Sequence, residues 1–314
     1  EKEELYMKAV FFYPRIENSF RASYPPLGIM SIATYLNANG HEAIICDRFF
    51  ETESAKDVLK KHLPDIIGIS VISFAFIKDA IHISKEAKSM GIPVVWGGIM
   101  SSTIPEETLA SGYVDYISFN EGEYTWLEIA DAFDSGKNFE DIDGLGYIKD
   151  GKFIRTPDRD FIDLSTLPMI DWSLVRPENY FQTSYGYGNM LSTYLSKGCF
   201  GTCTYCYNPE FHCSTRRQRP IEHVIGERRY LIDNHGAGGF DFSGMDMSDI
   251  FGDIFGDLFG GGFGGGGSRR RNGPVQGDDI GTSISVDFEE AVFGVKKDVS
   301  YSRICHCNDC QGTG

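Results

Sequence analysis

Three cysteines with metal-ligand spacing lie in one short segment, in which Cys199, Cys203 and Cys206 form the pattern Cys-x3-Cys-x2-Cys. Three thiolates on one loop can hold three irons of a four-iron cluster, and the fourth iron is then free to bind a small molecule. Structural zinc prefers four ligands in paired CxxC motifs, and an electron-transfer cluster needs a fourth cysteine, for which Cys213 is the only nearby candidate. The spacing therefore favours an open iron–sulfur site, with zinc and electron transfer as the alternatives.

A second cysteine group lies at the end of the sequence, where Cys307-Asn308-Asp309-Cys310 precedes Gln311-Gly312-Thr313-Gly314. This CxxC pair supplies two thiolates, whereas a structural zinc ion takes four ligands, and Cys305 or His306 would have to complete the site. Cys46 instead stands in an apolar run and is predicted to be a buried structural thiol.

The composition bounds the class of protein. A length of 314 residues suggests two domains, and a formal net charge of −16 argues against nucleic acid as a partner. No apolar run reaches the roughly 18 residues of a membrane span, and the acidic start, Glu1–Glu4, does not look like a signal peptide. We therefore expect a cytoplasmic protein whose clustered cysteines bind metal.

The first 140 residues alternate short apolar runs with helical patterns, which is typical of a doubly wound parallel α/β sheet of the Rossmann-like kind. The predicted strands are Lys8–Tyr13, Glu42–Asp47, Ile66–Val71, Pro93–Trp96 and Tyr116–Phe119. The predicted helices are Leu27–Asn37, Phe76–Met90 and Glu123–Phe133. In such a fold the ligand binds at the carboxyl ends of the strands.

Glycine-bearing turns stand at those strand ends with a regular spacing. Between Gly28 and Ser70-Val71-Ile72 lie 41 residues, and 24 further residues lead to Gly97-Gly98. This order resembles the DxHxxG, SxL and GG pattern of cobalamin-binding domains. The family's Asp and His positions hold Ser23 and Pro25 here, so the resemblance implies a cobalt whose lower face is open or bound to water.

The same resemblance extends to Gly97–Ser102 and to Asn120-Glu121-Gly122-Glu123. It implies that the following residues contact the cofactor: Tyr24, Pro25, Leu27, Gly28, Ser70, Ile72, Gly97, Gly98, Ser102, Glu121 and Gly122. The alternative is that these are ordinary turns of a flavodoxin-like domain, with Glu121 and Glu123 stabilising a helix N-terminus.

The cysteine segment with its flanks, Ser196-Lys197-Gly198 and the aromatic Tyr205, resembles the radical S-adenosylmethionine superfamily. The resemblance implies that the three cysteines are catalytic ligands of a [4Fe–4S] cluster and that Tyr205 lies near the adenine of S-adenosylmethionine. It also implies reductive cleavage to a 5′-deoxyadenosyl radical, with an electron donor such as flavodoxin or ferredoxin. The outcome would be methyl transfer or radical cyclisation on a small-molecule, lipid or tetrapyrrole-like substrate.

Two segments separate and follow these motifs. Residues 141–190 are predicted to be a connector with a hairpin turning at Asp150-Gly151, and residues 191–242 to be the start of a partial α/β barrel. In the latter, the apolar run Leu191–Leu195 leads into the cluster loop and Ile221–Asn234 is predicted to be a helix. The three arginines that follow the loop are expected to form a solvated or helix-entry face without a catalytic role: Arg216, Arg217 and Arg219.

The character of the sequence then changes. Repeated Asp-Ile-Phe and the run Gly260–Gly267 predict a disordered Gly/Phe-rich linker over residues 243–276. This linker and the CxxCxGxG repeat resemble DnaJ-type co-chaperones, so residues 277–314 would be a β-rich fragment with a partial zinc site at Cys307 and Cys310 and an unfolded-protein or DnaK-type partner. We hypothesise that two unrelated reading frames join near Gly239–Ser243. The alternative functions are a chaperone or binding protein and a cobalamin carrier without catalysis.

Overall fold

The structure is a computed structural model that describes residues 6–16, 24–184, 187–237 and 296–300. Short apolar runs form the strands, because β-branched and aromatic side chains pack well on a pleated sheet. The strands of the main sheet are β1 (Lys8–Tyr13), β2 (Glu42–Asp47), β3 (Ile66–Ser70), β4 (Val94–Gly97), β5 (Tyr116–Ser118), β6 (Leu145–Lys149) and β7 (Lys152–Arg155).

These strands form one seven-stranded sheet in the order β2-β1-β3-β4-β5-β6-β7. The first five are parallel, with Ala9 opposite both Ala43 and Ile66, and β6 and β7 are added antiparallel to β5. The doubly wound sheet predicted from the sequence is confirmed, and the predicted hairpin extends it. Asp150 and Gly151 have φ values of 51° and 73°, as a tight hairpin turn of this kind requires.

Helices cover the sheet between its parallel strands and continue after it. They are α1 (Leu27–Ala38), α2 (Ala55–His62), α3 (Ile77–Ser89), α4 (Ile99–Thr103), α5 (Pro105–Ala110), α6 (Glu123–Ser135), α7 (Asn208–His212) and α8 (Ile221–His235). The sequence predictions included α1, α3, α6 and α8 but not the short helices. Of those, α2 is preceded by its N-cap residue Ser54, whose hydroxyl oxygen accepts a hydrogen bond from the amide of Asp57.

The core lies on both faces of the sheet. Phe11, Phe12 and Ile67 are almost completely buried on neighbouring strands, and the ring of Phe11 contacts Trp126 of α6 edge-on, with 4.5 Å between the ring centroids. Burial on both faces is expected of parallel strands that are connected through helices.

The segment after the sheet is held to it by a smaller apolar cluster. Met30 of α1, Ile170, Trp172 and Leu231 of α8 pack together. The strands of this segment are β8 (Gln182–Ser184), β9 (Tyr187–Met190), β10 (Ser196–Gly198) and β11 (Arg216–Gln218), paired antiparallel as β8–β9 and β10–β11. No closed barrel is formed within the described residues, and between the apolar run Leu191–Leu195 and the cluster loop lies the short strand β10.

The chain divides into two units after Asp241. Of the second, only residues 296–300 are described, and they have no regular secondary structure. The predicted linker, the β-rich fragment and the cysteines Cys307 and Cys310 therefore lie outside the described residues. Among the helices that are described, none is long and apolar enough to cross a membrane.

Candidate cofactor sites

The strand order locates a crevice at the carboxyl edge of the sheet. The chain reverses its direction of winding between β1 and β3, and doubly wound sheets bind their ligands at such a switch point. The turns singled out in the sequence leave β3 and β4 at this edge, and the N-terminus of α1 follows β1 there.

Two of these turns are joined directly. Ser70 lies opposite Gly97, the amide of Val71 donates to the carbonyl of Gly97 at 2.8 Å, and the amide of Met100 donates to the carbonyl of Val71 at 3.2 Å. Gly98 has a φ of 100°, and a Cβ atom there would lie 2.8 Å from the carbonyl oxygen of Val71. Only glycine fits this position, because a side chain would be both strained and in collision with backbone.

The hydroxyls beside this turn have protein partners. Ser101 and Ser102 both donate to the carbonyl of Gly98, at 3.2 and 3.0 Å. They therefore help to hold the Gly97-Gly98 turn against the start of α4.

Large apolar side chains are exposed near the same edge. Tyr24 is 62% exposed, Ile72 is 40% exposed and Phe74 is 71% exposed, whereas Pro25 is buried. Exposed apolar surface beside a crevice is typical of a ligand-binding site, so these residues fit a large planar group such as a corrinoid.

The three cysteines lie on the loop between β10 and β11, which we call the cluster loop (residues 199–215). Cys199 and Cys203 are exposed, Cys206 is partly exposed, and none is oxidised to a disulfide. A Cβ atom on Gly201 would lie 3.4 Å from Sγ of Cys199 and 3.6 Å from Sγ of Cys203, so two of the sulfurs flank this glycine on the same side. The thiols of the loop are therefore at least partly accessible and are not occupied by disulfide bonds.

No group of three or more His, Cys, Asp or Glu residues in the described part of the chain is close enough to hold a single metal ion. The Cys-x3-Cys-x2-Cys spacing remains the basis for predicting a cluster, in which each thiolate would bind a different iron. Tyr205, just before the third cysteine, is 91% exposed, and Cys213 is exposed at the end of α7.

The β10–β11 ribbon, which carries the cluster loop, is attached to the sheet domain by partly buried ion pairs. The guanidinium of Arg217 donates two hydrogen bonds to the carboxylate of Glu121, with Nη1 2.9 Å from Oε2 and Nη2 2.7 Å from Oε1. Nζ of Lys197 lies 2.7 Å from Oε1 of Glu123, which also accepts a hydrogen bond from the hydroxyl of Ser31 at 2.6 Å. The two carboxylates lie on either side of Gly122, where α6 begins.

Burial and neighbouring charges shift the pKa values of Glu121 and Lys197 in opposite directions. Burial alone would raise the pKa of Glu121, but the hydrogen bonds from Arg217 and the charge of Lys197 outweigh it and hold that pKa below its ordinary value. Burial alone would lower the pKa of Lys197, but the carboxylates of Glu123 and Glu121 keep it above its ordinary value. Glu121 and Lys197 are therefore both charged at neutral pH.

This arrangement corrects the prediction of a solvated face for two of the three arginines; Arg216 is exposed, and Arg219 lies directly before the N-cap of α8, as the helix-entry alternative allows. Arg217 and Arg219 do not form a solvated face: Arg217 pairs with Glu121, and Arg219 is buried with its Nη2 2.5 Å from Oε2 of Glu227. The partners are 96 and 8 residues away in the sequence, and no local pattern revealed the longer pair. The prediction that Glu121 contacts the cofactor stays a prediction; both of its oxygens accept hydrogen bonds from protein groups.

Two buried polar side chains lie at the end of β2. Burial raises the pKa of Cys46 to about 12, and this confirms the prediction of a buried structural thiol. Asp47 accepts a hydrogen bond from the hydroxyl of Tyr180 at 2.5 Å, and burial raises the pKa of this carboxyl.

Comparison with known proteins assigns the sheet domain to a class. Residues 16–130 match the family described as B12 binding domain. The cobalamin-binding domain predicted from the turns is thereby confirmed.

Particular relatives extend the similarity beyond this domain. An uncharacterized methyltransferase of Pyrococcus horikoshii is 28% identical over 247 residues, which cover 75% of this chain and 53% of the relative. An anaerobic magnesium-protoporphyrin IX monomethyl ester cyclase of Synechocystis is 25% identical over 203 residues, covering 62% of this chain and 40% of the relative. The chain spans about half the length of the curated methyltransferases that it matches.

Two solved structures share the fold. The radical S-adenosylmethionine methyltransferase TsrM from Kitasatospora setae, with tryptophan and a SAM analog bound, aligns with a TM-score of 0.58 at 20% identity, covering 72% of this chain and 45% of that chain. The cobalamin-dependent S-adenosylmethionine radical enzyme OxsB, with aqua-cobalamin and S-adenosylmethionine bound, aligns with a TM-score of 0.60 at 20% identity, covering 72% and 32%. At this identity the likeness establishes the fold.

The predicted resemblance to DnaJ is also confirmed. The chaperone protein DnaJ of Clostridium kluyveri is 53% identical over 79 residues, which cover 24% of this chain and 21% of DnaJ. Similarity to two unrelated families, over about three quarters and one quarter of the chain, is what two joined parts would give.

Proposed function

We propose that residues 1 to about 240 are the front part of a cobalamin-dependent radical S-adenosylmethionine enzyme. The observation that carries the proposal is that partly buried ion pairs hold an exposed three-cysteine loop beside the B12-binding domain. A methyltransferase and a cyclase among the relatives support methyl transfer and radical cyclisation as the two reaction outcomes.

The residues divide between the cofactors. Cys199, Cys203 and Cys206 would hold the [4Fe–4S] cluster and leave one iron for S-adenosylmethionine, and the exposed ring of Tyr205 is available to pack on the adenine. When bound, the cluster supplies the electron that cleaves the sulfonium, and cobalamin supplies the methyl-carrying or redox-active cobalt.

The corrinoid would lie along the carboxyl edge of the sheet. The turn at Gly97-Gly98 admits a close approach, and the exposed side chains of Tyr24, Ile72 and Phe74 would be covered. The other predicted contacts belong to the same proposal: Pro25, Leu27, Gly28, Ser70, Ser102, Glu121 and Gly122.

The substrate and the electron donor are also proposals. We propose a small-molecule or tetrapyrrole-like substrate and an electron donor such as flavodoxin or ferredoxin, in the cytoplasm. Substrate contacts would come from parts of the relatives that this chain does not match.

Anaerobic reconstitution of the full chain with iron, sulfide and cobalamin tests the enzyme hypothesis. We expect about four irons and one cobalt per chain, and production of 5′-deoxyadenosine from S-adenosylmethionine with dithionite. Replacement of Cys199, Cys203 or Cys206 by Ala should abolish the product and the cluster absorbance.

Cys213→Ala is the matched control, because this cysteine is exposed on the same loop and lies outside the motif. It should retain the cluster and the product. A chain that binds cobalt but no iron would be a corrinoid carrier, and iron loss in Cys213→Ala would indicate a fully ligated electron-transfer cluster.

We propose a DnaJ-type origin for the segment from about residue 240 to 314, on the strength of 53% identity to DnaJ. Cys307 and Cys310 would supply two of the four thiolates of a zinc site, and an unfolded protein or a DnaK-type chaperone would be the partner. Sequencing reads across codons 235–250 of the source genome test the join, since uninterrupted coverage would contradict an artefact.

A further inference from the structure

The hairpin of β10 and β11 carries both ends of the cluster loop. Each strand has only three residues, and a two-stranded ribbon of that size is marginally stable on its own. Contacts outside the ribbon must therefore fix its position.

The contacts with the start of α6 come from one pair of opposed residues. Lys197 and Arg217 are partners across the ribbon, so their side chains leave the same face of it. They end on Glu123 and Glu121, at the start of α6. The sheet domain therefore holds the ribbon at the position that lies two residues before Cys199.

The carboxylates are tied closely to the other cofactor site. Ser118, the last residue of β5, pairs with Gly97, and only two residues separate Ser118 from Glu121. The Gly97-Gly98 turn and the cluster loop are therefore connected through the end of β5 and the two ion pairs.

The two pairs constrain different degrees of freedom. The bidentate pair of Arg217 with Glu121 fixes the orientation of a planar group, whereas the ammonium of Lys197 acts as a point charge and fixes a distance. Glu123 is only 2% exposed, so water cannot readily replace a lost partner.

From this geometry we propose that Glu121 and Glu123 are positioning residues which, through Arg217 and Lys197, set the distance and orientation of the cluster loop relative to the corrinoid edge. The inference rests on the proposed function for the two cofactors. The attachment of the loop to α6 can be tested without them.

The first test is hydrogen–deuterium exchange on the full chain without cofactors. In Glu123→Gln and in Arg217→Met, the amides of Ser196–Gly198 and Arg216–Gln218 should exchange on the order of tenfold faster or more, because one partly buried charge has lost its nearest partner. Lys197→Arg keeps the charge and should largely preserve protection. Glu140→Gln, which removes an exposed ion pair with Lys149, is the control and should not change these amides.

The second test is electron paramagnetic resonance on protein loaded with cob(II)alamin and the reduced cluster. The dipolar interaction between the two paramagnetic centres reports their separation. Wild type and Glu140→Gln should give one narrow distance distribution, and Glu123→Gln should give a shifted or broader one at unchanged iron and cobalt content.

Unchanged exchange in Glu123→Gln and Arg217→Met would overturn the proposal. An unchanged distance distribution in Glu123→Gln would also overturn it, since the pairs would then stabilise the ribbon without positioning it. If the chain binds no iron or cobalt, the proposed function fails, and the exchange result still decides whether these carboxylates hold the loop.

Discussion

The main sheet and the β10–β11 ribbon are held in opposite ways. The sheet is held by apolar burial on both faces, with Phe11, Phe12 and Ile67 almost completely buried. The ribbon instead relies on Lys197 and Arg217, whose charged ends reach the sheet domain. Apolar packing is strong but has little directional preference, whereas bidentate ion pairs fix an orientation. The sheet thus supports the ribbon, and the directional ion pairs orient the cluster loop.

The largest effect is expected in the sheet. Phe11→Ala removes a ring that contacts Trp126 and should lower the free energy of unfolding by about 3–5 kcal/mol, because the cavity cannot close in a two-sided core. Urea unfolding followed by far-ultraviolet circular dichroism measures it. A loss below about 1 kcal/mol would mean that the sheet is not the main source of stability.

The next effect concerns the base of the ribbon, where Arg219 is buried against Glu227. Arg219→Met should cost roughly 3 kcal/mol, because it leaves a buried carboxylate without its counter-charge. The double variant Arg219→Met with Glu227→Leu should recover most of the loss. Urea unfolding of the two single variants and the double variant gives the coupling free energy between Arg219 and Glu227. If the losses of the single variants simply add in the double variant, the two residues are not coupled.

A pH-dependent effect is expected where the sheet buries a carboxyl. Because burial raises the pKa of Asp47 in the folded state, its protonation favours folding. This contribution to the free energy of unfolding is fully present below the ordinary carboxyl pKa of the unfolded chain. It is lost as the pH rises through the raised pKa of the folded protein. Asp47→Asn should remove this pH dependence while keeping an acceptor for Tyr180.

The measurement is the free energy of unfolding of wild type and Asp47→Asn from pH 3 to pH 8. The difference between the two proteins should move in favour of the variant as the pH rises. A difference that stays constant over this range would contradict the raised pKa.

The smallest effect is expected at the surface. Leu63 ends α2 with a φ of 47° and is exposed, so its side chain adds strain without packing. Leu63→Gly should raise the free energy of unfolding by about 0.5 kcal/mol, because relief of the left-handed strain exceeds the entropy cost of glycine. Thermal unfolding measures it, and a lower midpoint would show that Leu63 makes stabilising contacts.

The strands of the sheet could be predicted from the sequence because each strand is encoded by the pattern of its own residues. Runs such as Glu42–Asp47 carry their own apolar pattern, and the turns at Ser70 and Gly97 have fixed spacing from the strands before them. The helix α2 was missed although Ser54 and Asp57 form a recognisable helix start; the segment is short and strongly charged.

The attachment of the cluster loop could not be predicted in the same way. Lys197 lies 74 residues from Glu123, and Arg217 lies 96 residues from Glu121. Opposite charges are common in any sequence, so only the fold selects which of them meet. The candidate cluster ligands and the four charged residues were thus all singled out in the sequence, but the ion pairs between the charged residues were not predicted.

The turn at Gly98 has a consequence for anyone who redesigns this domain. A methyl group there would meet the carbonyl of Val71, so a library that varies this position should yield almost no folded members. Ile72 is 40% exposed, and Ser102 is partly exposed. If Ile72 and Ser102 contact the corrinoid as proposed, tuning of its affinity should begin at those two positions, with the paired glycines left untouched.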